Sequence, residues 1–141
     1  MKVLEIPGVT DGLDNDFAGQ AKGALAALEK NDLVVIHIEA TDEAGHTGLI
    51  DDKIAAIQKT DSEVISRLRA WKGDTLRVLV MPDHPTPIVT RTHNPDPVPF
   101  LLWGEGFAAN GAKRLTEKEA ASRDLFLADG YSIMSRLVGR H

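Results

Sequence analysis

Leu33-Val34-Val35-Ile36-His37-Ile38-Glu39-Ala40-Thr41-Asp42-Glu43-Ala44-Gly45-His46 is the stretch on which the fold turns. It opens with an almost continuous aliphatic run, Leu33–Ile38, which reads as a strand covered on both faces. A carboxylate and an imidazole, Asp42 and His46, come directly after it in what reads as a loop. The pattern recurs downstream. Leu76-Arg77-Val78-Leu79-Val80-Met81 reads as a second buried strand, and the pair Asp83-His84 leaves its end. Between the two strands, Ile50, Ile54, Ile57, Val64, Ile65 and Leu68 fall at the spacing of one helical face, from Ile50 to about Trp71, with Gly73 as the stop. Asp51 and Asp52 suit the first turn of that helix, where acids complement its dipole.

Working outward, Met1–Ile6 alternates like a short strand ended by Pro7-Gly8, and Thr10–Asp16 reads as a loop. Asp14 or Asn15 is the expected cap of a helix to about Lys30, with Phe17, Ala21, Ala24, Leu25 and Leu28 on one face. On the C-terminal side, Pro85, Pro87, Pro95 and Pro97 exclude a continuous helix across residues 85–97. Val98–Trp103 reads as a further strand. Its link from His84 has no crossover helix, so it is expected to run antiparallel to Leu76–Met81. Thr116-x-x-Glu119 is a capping box that opens a helix to about Arg123. A last amphipathic helix covers about Ala128–Val138, with Ile133, Met134, Leu137 and Val138 as its apolar residues. The whole predicts one domain over residues 1–141: a three-layer α/β/α sandwich with a mostly parallel sheet and one antiparallel strand. Ligands in such sheets bind beyond the carboxyl ends of the strands, where both Asp/His islands are expected.

Composition narrows the function. The chain has 141 residues, is 43% hydrophobic and 26% charged, and carries a net charge of −5. That is an ordinary globular composition with no basic surface to attract nucleic acid. No apolar run approaches the roughly 18 residues needed to span a membrane. The N-terminus has no signal-peptide core, and the absence of cysteine excludes thiolate metal sites and fits a reducing cytoplasm. The remaining donors are carboxylates and imidazoles: Asp42, His46, Asp83, His84 and His93. Oxygen and nitrogen donors of this kind suit a divalent ion such as Mn²⁺ or Zn²⁺.

Each island taken alone has a plainer reading. Asp42 could cap a turn, and His84 could be a satisfied core histidine. Delivery of four of the five to one sheet edge argues for a shared site. Gly45 and Gly48 would let the backbone approach, and the prolines would stiffen the loop that carries His93. His37, inside a strand, reads as a packed core residue and His141 as solvated. Glu39 and Glu43 read equally as outer supports of the site or as solvated. Arg91 either contacts an anion near His93 or points to solvent.

Several segments resemble a known family: Ile6-Pro7-Gly8-Val9-Thr10, Thr41-Asp42-Glu43-Ala44-Gly45-His46-Thr47-Gly48, Pro82-Asp83-His84-Pro85-Thr86-Pro87 and His93-Asn94-Pro95-Asp96-Pro97-Val98-Pro99-Phe100. In this order they are similar to the cofactor-independent phosphoglycerate mutases of archaeal type, within the alkaline phosphatase superfamily. The resemblance implies that Asp42, His46 and His93 bind one metal and Asp83 and His84 a second. It further implies phosphoryl transfer through a phosphoserine, on a phosphorylated small-molecule substrate. The family's N-terminal half supplies the serine and one more aspartate ligand, and nothing here resembles it. The chain is therefore expected to be a C-terminal fragment whose partner is that missing half, inactive alone. The strand missing with that half lies in mid-sheet, so Leu33–Ile38 is expected to border a gap. The wording Asp83-His84-Pro85-Thr86-Pro87-Ile88 with Arg91-Thr92-His93 also resembles a homoserine kinase-like branch. A non-catalytic metal-binding module, or a half-enzyme needing a partner chain, is the reading from outside the enzyme class.

Overall fold

Asp16 starts the first helix: its Oδ1 accepts the Gly19 backbone N–H at 2.8 Å, capping α1, Phe17–Leu28. The cap thus falls later than Asp14 or Asn15, because Asn15 is buried and engaged elsewhere. The structure is a computed structural model that describes residues 2–139. Its described residues form two compact units, residues 2–73 with Thr86–Asn94, and Asp74–Pro85 with residues 95–139.

In the first unit, α1 is joined by α2, Ala40–Thr47, and by a long helical run. That run begins as α3, Ile50–Lys59, widens into a π-helical segment, Thr60–Ile65, and ends as α4, Ser66–Arg69. The core is Phe17, Ala21, Ala40, Ala56 and Val64, with Leu13, Ile36, Ile38 and Leu68 packed against it. Three of its five buried members are alanines, which let the helix backbones come close.

The π-helical segment corrects the reading of one apolar face from Ile50 to Leu68. On an unbroken α-helix, Ile50, Ile54, Ile57, Val64 and Leu68 would share a side. A π turn adds a residue and rotates the downstream side chains by about 100°. Ala56 and Val64 are buried while Ile50, Ile54 and Ile57 face outward.

Leu33–Ile38 is extended but belongs to no ladder. Ile36 and Ile38 pack on the core, and Leu33 and Val35 are exposed, so the run is covered on one face rather than two. His37 lies on the open face with its side chain 75% exposed and Nε2 3.2 Å from Glu39. It is not a core residue, because nothing covers that face among the described residues. Residues 2–6 likewise form no strand, Met1 and His141 lying outside the described residues.

A polar relay ties this extended segment to α1. Asn15 Oδ1 accepts the Thr10 N–H at 3.1 Å, Asn15 Nδ2 donates to Gln20 Oε1 at 2.8 Å, and Gln20 Nε2 donates to the His37 carbonyl at 2.9 Å. Gln20 is buried and so supplies the bond that a neighbouring strand would otherwise make. Gln20→Leu keeps the volume but strands Asn15 Nδ2 and the His37 carbonyl. A loss of about 1–3 kcal/mol is expected in urea unfolding. A loss below about 0.5 kcal/mol would show that the relay is dispensable.

In the second unit, β1, Arg77–Val80, pairs antiparallel with β2, Leu101–Gly104, with Arg77 opposite Gly104 and Val80 opposite Leu101. The antiparallel direction agrees with the missing crossover. This is the one sheet among the described residues, so the fold is α/β with a small antiparallel ribbon. Gly104, at φ 119°, has the Leu76 carbonyl where a Cβ would stand. Thr116 caps α5, Glu117–Ala121, by accepting the Glu119 N–H at 3.2 Å. The Glu119 carboxylate bonds Arg123, which holds its pKa below the usual range. The last helix is shorter than expected: a 3₁₀ turn, Gly130–Ser132, precedes α6, Ile133–Val138, of which Ile133 is buried. Arg77 Nη1 donates to the Leu137 and Gly139 carbonyls at 3.4 and 3.2 Å, tying the end of α6 to β1.

Candidate metal centre

Asp42 and His46 stand one turn apart on α2, not in a loop, and so share a face of that helix. Asp42 Oδ2 is 3.1 Å from His46 Nε2. His93 reaches the same point from the segment Thr86–Asn94: its Nε2 is 3.1 Å from His46 Nε2 and 3.5 Å from Asp42 Oδ1. The two rings are tilted, with centroids 4.9 Å apart. One donor atom from each of the three residues lies within 4.8 Å of the others.

These separations fit a common ion. Donors about 2.1 Å from one centre stand about 3.0 Å apart at a right angle and about 3.4 Å apart at the tetrahedral angle. The site also has graded exposure. The Asp42 side chain is 19% exposed and that of His93 50%, so the carboxylate forms the floor and the imidazoles the open side.

The nitrogen that His46 could offer an ion is set by its other one. His46 Nδ1 donates to the Arg91 carbonyl at 2.9 Å, which leaves Nε2 as the lone-pair atom of the neutral ring. Arg91 holds that carbonyl in place with a left-handed backbone, φ 55°, and donates its own N–H to the Pro87 carbonyl at 2.8 Å. A non-glycine residue in this region costs about 1 kcal/mol or more, so the turn is held by what surrounds it. The Arg91 side chain lies over Gly48, whose φ of 77° closes α2. Thus Arg91 serves the site through its main chain, a role that neither sequence-based option for it contained.

Thr86 is the functional candidate that sequence reasoning missed. It is 5% exposed, and its hydroxyl donates to Asp42 Oδ1. Lys53 Nζ donates to the Thr86 carbonyl at 2.6 Å. A Cβ on Gly45 would stand 2.6 Å from the same carbonyl, so the close approach requires glycine.

Asp83 and His84 belong to the other unit and pair locally. Asp83 Oδ2 is 3.3 Å from His84 Nε2, and the His84 N–H bonds Asp83 Oδ1 at 3.1 Å. The Asp83 side chain is 74% exposed and that of His84 30%. Glu39, Asp42 and Glu43 also offer clustered oxygens at the start of α2, of which Glu43 is exposed.

A family model described as the metalloenzyme superfamily matches residues 1–130. The chain belongs to that superfamily. As a metalloenzyme-superfamily chain it is 39% identical over 140 residues to a 2,3-bisphosphoglycerate-independent phosphoglycerate mutase of Methanothrix thermoacetophila, covering 97% of this chain and 36% of the relative. It is 45% identical over 136 residues to 2,3-bisphosphoglycerate-independent phosphoglycerate mutase 2 of Methanothermobacter thermautotrophicus, covering 96% of this chain and 34% of that one. Among solved structures, the PH0037 protein from Pyrococcus horikoshii superposes with a TM-score of 0.88 at 29% identity, over 99% of this chain and 43% of that protein. The chain thus spans about a third of the length of these curated relatives. No helix among the described residues is long and apolar enough to cross a membrane.

Proposed function

We propose that this chain carries the metal-binding part of a 2,3-bisphosphoglycerate-independent phosphoglycerate mutase, which interconverts 2- and 3-phosphoglycerate. The observation that carries the reading is the convergence of Asp42, His46 and His93 at donor spacings suited to one ion. The donor set suits Mn²⁺ or Zn²⁺. Asp83 and His84 are the proposed ligands of a second ion, completed by an aspartate from the missing N-terminal half. That half also brings the nucleophilic serine and the strands that complete a three-layer, mostly parallel sandwich. The setting proposed for the enzyme is cytoplasmic glycolysis.

In this reading Asp42 places negative charge at the floor of the site, and His46 presents Nε2 because Nδ1 is committed to Arg91. His93 closes the open side. Divalent ions held there would supply Lewis-acid charge to the serine and to the phosphoryl oxygens.

The test is twofold. The metal-loaded chain is assayed alone for conversion of 3-phosphoglycerate, and no turnover is expected, since a covalent intermediate needs a nucleophile. The chain is then fused in place of the matching segment of the Methanothrix relative. Mutase turnover that disappears with Asp83→Ala is the expected result. A folded, metal-binding hybrid that phosphorylates homoserine instead would replace the mutase reading with the kinase one. Turnover by the chain alone would overturn the missing-nucleophile argument.

A further inference from the structure

We propose that Thr86 is a positioning residue of the metal centre: its hydroxyl fixes the rotation of the Asp42 carboxylate and so sets which oxygen faces His46. This rests on the metal reading above and adds a residue to it. A carboxylate turns broadly about its last side-chain bond, so the orientation of Asp42 is set by the groups that bond it. The Thr86 hydroxyl, donating to Oδ1, removes that freedom, and Oδ2 is then the oxygen 3.1 Å from His46 Nε2.

The surroundings of Thr86 are built to hold the hydroxyl still. Pro85 and Pro87 flank it, and the residue before a proline is confined to extended backbone. Lys53, from α3, holds its carbonyl at 2.6 Å. Gly45, one residue before His46 on α2, leaves the space into which that carbonyl fits. Thr86 is buried, so its β-branched side chain is confined by packing as well as by bonding. Four features of the chain, two prolines, a lysine and a glycine, therefore converge on the placement of one hydroxyl. The arrangement is that of an outer partner orienting a ligand, a role whose loss typically weakens metal binding 10–100-fold.

The experiment measures Mn²⁺ and Zn²⁺ affinity by isothermal titration calorimetry on the chain as it stands, with the melting temperature of each metal-free variant recorded alongside. Thr86→Val preserves shape and removes the hydroxyl. Affinity about 10–100-fold weaker than for the unsubstituted chain is expected. Thr86→Ser keeps the hydroxyl, and affinity within about threefold of the unsubstituted chain is expected. Should Thr86→Val fail to fold, the comparison of Thr86→Ser with Thr86→Ala isolates the same hydroxyl in a smaller side chain. A merely structural threonine would change the melting temperature and leave affinity alone. Val equal to Thr, or Ala equal to Ser, in affinity overturns the proposal while leaving the metal centre standing. No uptake by the unsubstituted chain overturns both.

Discussion

Asp42→Ala is expected to abolish divalent-metal uptake by this chain, a loss of more than about 100-fold in affinity. Asp42 is the one anionic donor among the three that converge, and the two imidazoles cannot neutralise the charge of a divalent ion. Its loss also removes the acceptor of a hydrogen bond from the buried Thr86 hydroxyl. His46→Ala and His93→Ala remove one nitrogen each and should leave weak, residual binding. Thermal melting gives an independent readout. A ligand at about 100 times its dissociation constant stabilises a fold by about 2.7 kcal/mol. The metal-induced rise in melting temperature should therefore vanish in Asp42→Ala and persist at this site in Asp83→Ala. Equal uptake by Asp42→Ala and the unsubstituted chain would place the ion elsewhere.

The candidate ligands stand out in the sequence because their residue types and spacing are local. Asp42 and His46 are four residues apart, and Asp83 and His84 adjacent, so residue type and spacing alone single them out. Their secondary structure does not stand out. Residues 40–48 contain Thr41, Gly45, Thr47 and Gly48, weak helix formers that read as a loop. The segment is a helix because Ala40 and Ala44 are buried, which is tertiary context overriding propensity.

Long-range partners were beyond reach for the same reason. Thr86 lies 44 positions from Asp42, and Arg91 acts through a carbonyl that every residue has. The signal for Thr86 is a polar residue locked between Pro85 and Pro87 beside the candidate pair Asp83-His84. Gln20 was more accessible. It falls on the helical face of Phe17, Ala21 and Ala24, and a polar residue on an apolar face needs a buried partner. The antiparallel pairing of β2 was readable from connection length, whereas the orientation of Ile50, Ile54 and Ile57 was hidden by a π turn that no periodicity reveals. Leu33–Ile38 has the composition of a doubly covered strand but only one covered face among the described residues.

Phe17→Ala is expected to destabilise the first unit by about 3–5 kcal/mol, the largest loss of any single substitution there. Phe17 is fully buried, and among the described residues it is the largest side chain to be so. Its fully buried neighbours are mostly alanines on three different helical elements, too short to fill the space it leaves. Lys59 adds to the loss. Its ammonium sits 5.6 Å from the Phe17 ring centroid while donating to the Leu13 carbonyl at 2.7 Å, and alanine removes the ring beneath it. Domains of this size are stable by only about 5–15 kcal/mol, so the variant should melt much earlier in urea or heat. Metal uptake near the new melting temperature should fall with it, since Ala40 of α2 belongs to the same cluster and α2 carries Asp42 and His46. Val89→Ala supplies the contrast. Val89 is 93% exposed, and a change within about 0.5 kcal/mol is expected there. Similar losses for the two variants would mean that Phe17 does not organise the core that holds α2 in place.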